Sequence, residues 1–234
     1  MTKLKANQGS SAGSARFVRK YLAVIFLVIC LIILSVFWGF NFKARTLIKD
    51  QLIRQGQAFF KEVVLTREWV AGHWGVYVKL KPGMKANPYL MKVPGLKVSI
   101  KDEDGEVYIL KNPALVTREI SELADVKGLF KFRITSLKPL NPNNSPDRFE
   151  TTALKSFEQG SKEYYAFDRN GKEIFFRYMA PLVADASCIR CHAFQGYRVG
   201  DIRGGISVTI AATEILHQVH DNQIYLTVSA VGIV

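Results

Sequence analysis

The apolar positions of this chain change their period along its length. Residues 21–40 (YLAVIFLVICLIILSVFWGF) run for twenty residues without a charge, the length a helix needs to cross the hydrocarbon core of a bilayer, and they predict a transmembrane helix. From Leu47 onward the pattern becomes a stripe at three- and four-residue steps, through Leu52, Phe59, Phe60, Val63, Val64 and Val70. That period predicts a long juxtamembrane helix over 41–75. The glycines of Ala71-Gly72-His73-Trp74-Gly75 interrupt it, and Val76-Tyr77-Val78 opens a β-rich stretch.

Residues 82–95, with Pro82-Gly83, Asn87-Pro88 and Pro94-Gly95, read as a surface loop, a candidate flap over a ligand. Two hairpins follow. Residues 96–100 and 106–110 flank Asp102-Glu103-Asp104-Gly105. Residues 163–168 and 173–180 flank Arg169-Asn170-Gly171-Lys172, where Asn-Gly suits the positive φ angles of a tight turn. Between them lie a helix over 114–123 after Asn112-Pro113, a strand over 130–136, and a helix ending near Gly160. Residues 204–210 read as a final strand and 211–220 as a helix returning toward the membrane. The fold class expected is α+β: a mostly antiparallel sheet with flanking helices, preceded by one transmembrane helix and the juxtamembrane helix.

Competing readings of the apolar run are weaker. A cleavable signal peptide has a shorter apolar region ending in small residues, whereas this one ends in Phe37, Trp38 and Phe40, as an aromatic belt would. Cys30 lies inside the run and reads as an apolar membrane residue.

Charge changes the picture only in orientation. Of a net charge of +12, five positive charges (Lys3, Lys5, Arg16, Arg19 and Lys20) fall in the first twenty residues with no acid, which favours a cytoplasmic N-terminus. Lys43, Arg45, Lys49 and Arg54 follow the run and weaken that bias. For a domain outside the cytoplasm, nucleic acid is not an expected partner, and the basic surface suits anionic lipid or acidic ligand groups.

The candidate chemistry is concentrated in Cys188-Ile189-Arg190-Cys191-His192. Two thiols three positions apart can each add across one vinyl group of haem, and a histidine directly after the second is then held under the iron. The spacing reads as attachment of one covalent c-type haem, with Cys188 and Cys191 on the macrocycle and His192 on the metal. A disulfide, a redox C-x-x-C and half of a zinc site remain alternatives, zinc needing a further ligand from His73, His217 or His220. His73 is the candidate sixth iron ligand, with Met84, Met91 and Met179 competing. Arg203 and Arg198 are candidates to pair with haem propionates, and Tyr197 to pack on the ring. Attachment of c-type haem takes place outside the cytoplasmic membrane, which places the domain in the periplasm of a bacterial inner-membrane protein.

The organisation that follows is a basic tail (1–20), a transmembrane helix (21–40), a juxtamembrane helix (41–75), a haem-binding domain (76–210), a return helix (211–222) and the start of a second membrane helix (223–234). The juxtamembrane stripe also suits pairing with a second copy as a homodimer. No Ser-His-Asp pattern, phosphate loop or carboxylate pair stands out, so no enzymatic activity is expected.

With these residues in place, the chain resembles a family of bacterial extracytoplasmic c-type haem domains with a PAS-like fold, found as sensor inputs of transmembrane signalling proteins and as small cytochromes. The resemblance covers residues 45–210. It rests on Thr66-Arg67-Glu68-Trp69 with His73, Asn112-Pro113-Ala114 with Thr117-Arg118-Glu119, Ile134-Thr135-Ser136, Asn141-Pro142 and Pro146-Asp147. Arg177-Tyr178-Met179-Ala180-Pro181-Leu182, residues 188–192, Gly196-Tyr197 and Gly200-Asp201-Ile202-Arg203-Gly204-Gly205 complete it. It implies a PAS-like sheet and a haem on Cys188, Cys191 and His192. Two functions are then expected in turn: a redox or gas sensor input feeding a signalling output module, or a membrane-tethered cytochrome passing electrons to a redox partner.

Overall fold

The computed structural model describes residues 9–233; the basic tail therefore lies partly outside the described residues, and so do the side chains of Arg190 and Cys191. The chain divides into two compact units, one made of Met1–Lys49 with Ile215–Val234 and the other of Asp50–Glu214.

In the first unit the apolar run is helical, inside the single helix α1, Gly9–Gly72. This helix is long and apolar enough to cross a membrane by length and composition. Most of its described apolar side chains are exposed, Trp38 at 78 % and Leu22 at 60 %. The C-terminal segment also belongs here. The expected return helix and second apolar stretch form one helix, Thr213–Ile233, numbered α5 below. Arg45 Nη2 donates to Gln223 Oε1 at 3.5 Å within this unit, and His217 and His220 are exposed.

In the second unit α1 ends where the glycines predicted. Gly75 N–H donates to Val70 O (2.9 Å) and Trp74 N–H to Ala71 O (3.1 Å), the bonding of a Schellman cap. The chain then forms β1 (Val76–Lys79), β2 (Ser99–Lys101) and β3 (Val107–Lys111), an antiparallel sheet in the order β1-β3-β2. Leu96 and Lys97, expected in a strand, fall outside β2. The β2–β3 turn is held by Asp102 Oδ1, which accepts from the N–H groups of Asp104 and Glu106.

Asn112 caps α2 (Pro113–Val126), accepting from Leu115 N–H, and Pro113 fills the first helical position, where its missing N–H costs nothing. Then come β4 (Lys131–Thr135) and α3 (Arg148–Glu158). Asp147 and Glu150 form a reciprocal capping box at the start of α3. The second sheet is completed by β5 (Tyr164–Asn170), β6 (Glu173–Val183) and β7 (Ile202–Ala211), antiparallel throughout, in the order β4-β7-β6-β5. A single sheet was expected; the strands form two, because β1, β2 and β3 pair only with one another and Asn112-Pro113 turns the chain straight from β3 into α2. The hairpin register also differs from expectation. Asn170 pairs with Glu173, so the two-residue loop is Gly171-Lys172, with Gly171 at φ +60° in the first central position as a type II′ turn requires.

The core lies between α3 and the second sheet, where Leu154, Phe157 and Met179 are at most 2 % exposed. Met179 is thus a packing residue, and Met84 and Met91 are exposed. On another face α1 approaches β6 so closely that a Cβ on Gly56 would lie 2.6 Å from Tyr178 Cβ. Glu163 Oε2 ties the two elements, accepting from Gln57 Nε2 and Tyr178 Oη at 2.9 Å each.

Candidate functional site

Residues 184–201, between β6 and β7, form a loop clipped at its base: Ala184 N–H donates to Asp201 O and Gly200 N–H to Ala184 O, both at 2.8 Å. Inside it a short helix, α4 (Ala186–His192), carries the whole cysteine motif. Asp185 starts it, accepting from Cys188 N–H at 2.9 Å. Hydrogen bonds from Ser187 and Cys188 hold the Asp185 carboxyl below its ordinary value against the opposing effect of burial. After His192 the chain makes a 3-10 turn, Ala193–Gln195, closed by Gly196 at φ +83°. The turn brings Gln195 back onto the histidine: its Oε1 accepts from His192 Nδ1–H at 2.6 Å, while its Nε2 donates to Lys138 O at 3.4 Å. The free nitrogen of the imidazole is therefore Nε2.

Cys188 and His192 face a chamber of about 540 Å³, within the size range of small-molecule and cofactor sites. Its walls are mostly apolar: Phe60, Val64 and Trp74 from the end of α1, Leu90 and Val93 from the loop before β2, and Leu182 from β6. The expected flap over 82–95 thus supplies wall rather than a free lid, with Leu90 only 5 % exposed. Arg67 of α1 and Arg203 of β7 bring two guanidinium groups to the lining, beside the acids Glu68 of α1 and Asp185 at the start of α4.

The electrostatics are set by burial and by these two arginines. Burial, then Arg203, lowers the pKa of Arg67 to about 10, against the opposing effects of Cys188 and Asp185. Burial, then Arg203 and Arg67, lowers that of His192 to about 4, although its bond to Gln195 acts the other way. At neutral pH the imidazole is uncharged with Nε2 unprotonated, the form in which histidine ligates metals. An apolar chamber, a thiol, a neutral imidazole and two cations at the wall suit a flat macrocycle that carries a metal and acidic arms. That donor set fits haem.

The residues singled out from sequence are only partly brought together. Cys188, His192 and Arg203 share the chamber; Cys191 lies on the same helix, with its side chain outside the described set. Tyr197 stands edge-on to His192 (ring centroids 6.5 Å apart, 83° between planes) and lines a smaller side cavity instead. Arg198 is exposed, its N–H donating to Asp201. His73 does not reach the chamber. It is exposed past the end of α1, where its Nδ1–H donates to Trp69 O at 2.7 Å and its ring rests 4.3 Å from the Trp69 ring. The same carbonyl also accepts from the His73 backbone N–H at 3.3 Å, so both donors of this residue are spent on the helix end. Among the described residues no three His, Cys, Asp or Glu side chains gather as a metal cluster. Three residues at the site carried no role in the sequence reading. Arg67 was masked by its place in an apolar helix stripe, Asp185 had the signal of an N-cap before the motif, and Gln195 had none.

A family model described as Tll0287-like matches residues 44–211. Among solved structures, the crystal structure of the cyanobacterial heme-protein Tll0287 is similar at 21 % identity over 69 % of this chain and 95 % of that one, with a TM-score of 0.43. No curated protein matches. The stretch matched by the family model takes in both sheets, the chamber and the cysteine motif, and the chain belongs to the Tll0287-like family.

Proposed function

We propose that this chain is a membrane-anchored haem protein, with haem held covalently through Cys188 and Cys191 and ligated by His192, and that it acts as a redox or gas sensor input. The carrying observation is that Cys188 and an uncharged His192 line the same mostly apolar chamber of about 540 Å³ as Arg67 and Arg203. Tll0287, whose name the family bears, is described as a heme-protein. When bound, haem supplies a one-electron couple and a metal that takes small ligands.

The protein's own groups have separable tasks in this reading. The thiol of Cys188 anchors the macrocycle, and the Nε2 lone pair of His192 meets the metal. Arg67 and Arg203 neutralise the acidic arms, which relieves the mutual repulsion of two cations in a poorly solvated wall. We further read the domain as PAS-like and periplasmic, anchored in the inner membrane by residues 21–40, with α1 as the element that transmits a change to a second copy or an output module. The second reading, a membrane-tethered electron carrier, needs only one anchor, which the apolar run over 21–40 supplies by length and composition.

The test is the pyridine haemochrome spectrum of the full chain made with a c-type haem maturation system, after acid-acetone extraction has removed loosely bound haem. Retained colour with a thioether-type α band, absent from Cys188→Ala/Cys191→Ala, supports the reading; a colourless protein overturns it. Carbon monoxide added to the reduced protein then separates the two functions. A shifted Soret band favours the sensor and an unchanged one the carrier.

A further inference from the structure

Behind His192, on the side of Gln195 and Tyr197, a second cavity of about 130 Å³ is enclosed by α2, the segment after β4 and the start of β7. We infer that it is an anion site, taking a small oxyanion or carboxylate. Three cations from three separate elements line it: Arg118 of α2, Lys138 after β4, and Arg203 of β7. No aspartate or glutamate contributes to its described lining, and among the described residues none of the three cations enters an ion pair. Arg118 spends one N–H on the neutral Asn144 Oδ1 at 3.0 Å, which leaves most of its five donors for a ligand.

Arg118 and Arg203 are part-buried and Lys138 is exposed; with no carboxylate among them the two guanidinium groups lose hydration uncompensated, so the wall is incomplete until negative oxygen enters. The cavity is much smaller than the haem chamber and suits a small ligand. Nitrate, acetate and phosphate have the right size and acceptor geometry for a guanidinium fork. The same chemistry is carried by a haem propionate reaching past His192. The cavity adjoins the haem chamber and shares Leu182, His192 and Arg203 with it, but its anion chemistry is read from Arg118, Lys138 and Arg203 and does not need the haem reading to hold.

The test is isothermal titration of the full chain in detergent with nitrate, acetate and phosphate separately, alongside the Cys188→Ala/Cys191→Ala protein. Saturable binding of at least one anion to the haem-loaded chain, about tenfold weaker or more in Arg118→Ala, supports a site for a free anion. Binding confined to the cysteine-free protein supports an anion site that a propionate fills. Lys138→Ala, an exposed position, gives the same comparison if Arg118→Ala does not fold. Absence of binding in both proteins, or affinity unchanged in a folded Arg118→Ala or Lys138→Ala, overturns the inference. These outcomes are independent of the haemochrome spectrum, so failure here and failure of the haem reading are distinguishable.

Discussion

Gln195 Oε1 accepts a 2.6 Å hydrogen bond from His192 Nδ1–H, so a residue with no motif of its own sets the tautomer of the candidate iron ligand. An acceptor on the far nitrogen makes the imidazole a stronger electron donor and favours the oxidised metal. Replacing Gln195 by Leu is expected to raise the haem midpoint potential, by roughly 60 mV if the oxidised form loses tenfold in relative stability. Gln195→Glu should lower it. Redox titration of both variants checks this, and equal potentials in all three proteins would show that the contact has no influence on the metal.

Trp74 lies at the chamber mouth with φ +64°, the only positive φ outside glycine among the described residues. A bulky side chain in that region is held at a cost of about 1–2 kcal/mol. At the cap position of α1, Trp74→Gly should therefore be more stable than Trp74→Ala by about 1 kcal/mol, since both lose the indole but only alanine keeps a Cβ in the strained region. Thermal unfolding of the two variants in detergent tests this; equal melting temperatures would mean that the helix end relaxes.

The approach of α1 to β6 depends on Gly56. A Cβ there would meet Tyr178 Cβ at 2.6 Å and Cγ at 2.7 Å, atoms close to the strand rather than the far end of a flexible chain. Gly56→Ala is expected to cost about 1–3 kcal/mol and to loosen the Gln57–Glu163–Tyr178 linkage. At Gly72 a Cβ would meet nothing within 4 Å, and Ala there should be tolerated. Chemical denaturation of the pair gives the comparison.

Acid sensitivity should centre on Asp147. Burial alone would raise its pKa, but the N–H of Glu150, then Arg177 (2.7 Å) and Arg133, hold it below the ordinary carboxylate value. A carboxyl whose folded pKa is depressed binds fewer protons folded than unfolded, so its contribution is full above the unfolded value near 3.9 and disappears as pH falls through the folded one. Asp147→Asn, which keeps a capping oxygen, should cost about 1–2 kcal/mol at pH 7. As pH falls through the depressed folded pKa the gap from the parent should close. A gap of the same size at pH 7 and pH 2.5 in urea unfolding would rule out ionisation as its source.

Local patterns carried a large part of this fold. The charge-free run over 21–40, the helix stop at Gly72, Asn112-Pro113 before α2 and the glycine turns at Gly105 and Gly171 each act within a few residues, through periodicity, capping or φ preference, and they survive folding because neighbours in sequence stay neighbours in space. The cysteine motif was legible for the same reason: α4 is a contiguous helix, and the candidate ligand His192 follows the second thiol directly. What surrounds the motif was not. Arg67 and Arg203 lie 136 positions apart and share a chamber only because the tertiary fold brings α1 and β7 to it, while His73, six residues beyond Arg67, is caught by the helix end and stays outside. The split into two sheets and the side cavity behind His192 likewise depend on long-range pairing, whose free energy comes from burial and packing between distant segments and leaves no local periodicity to read.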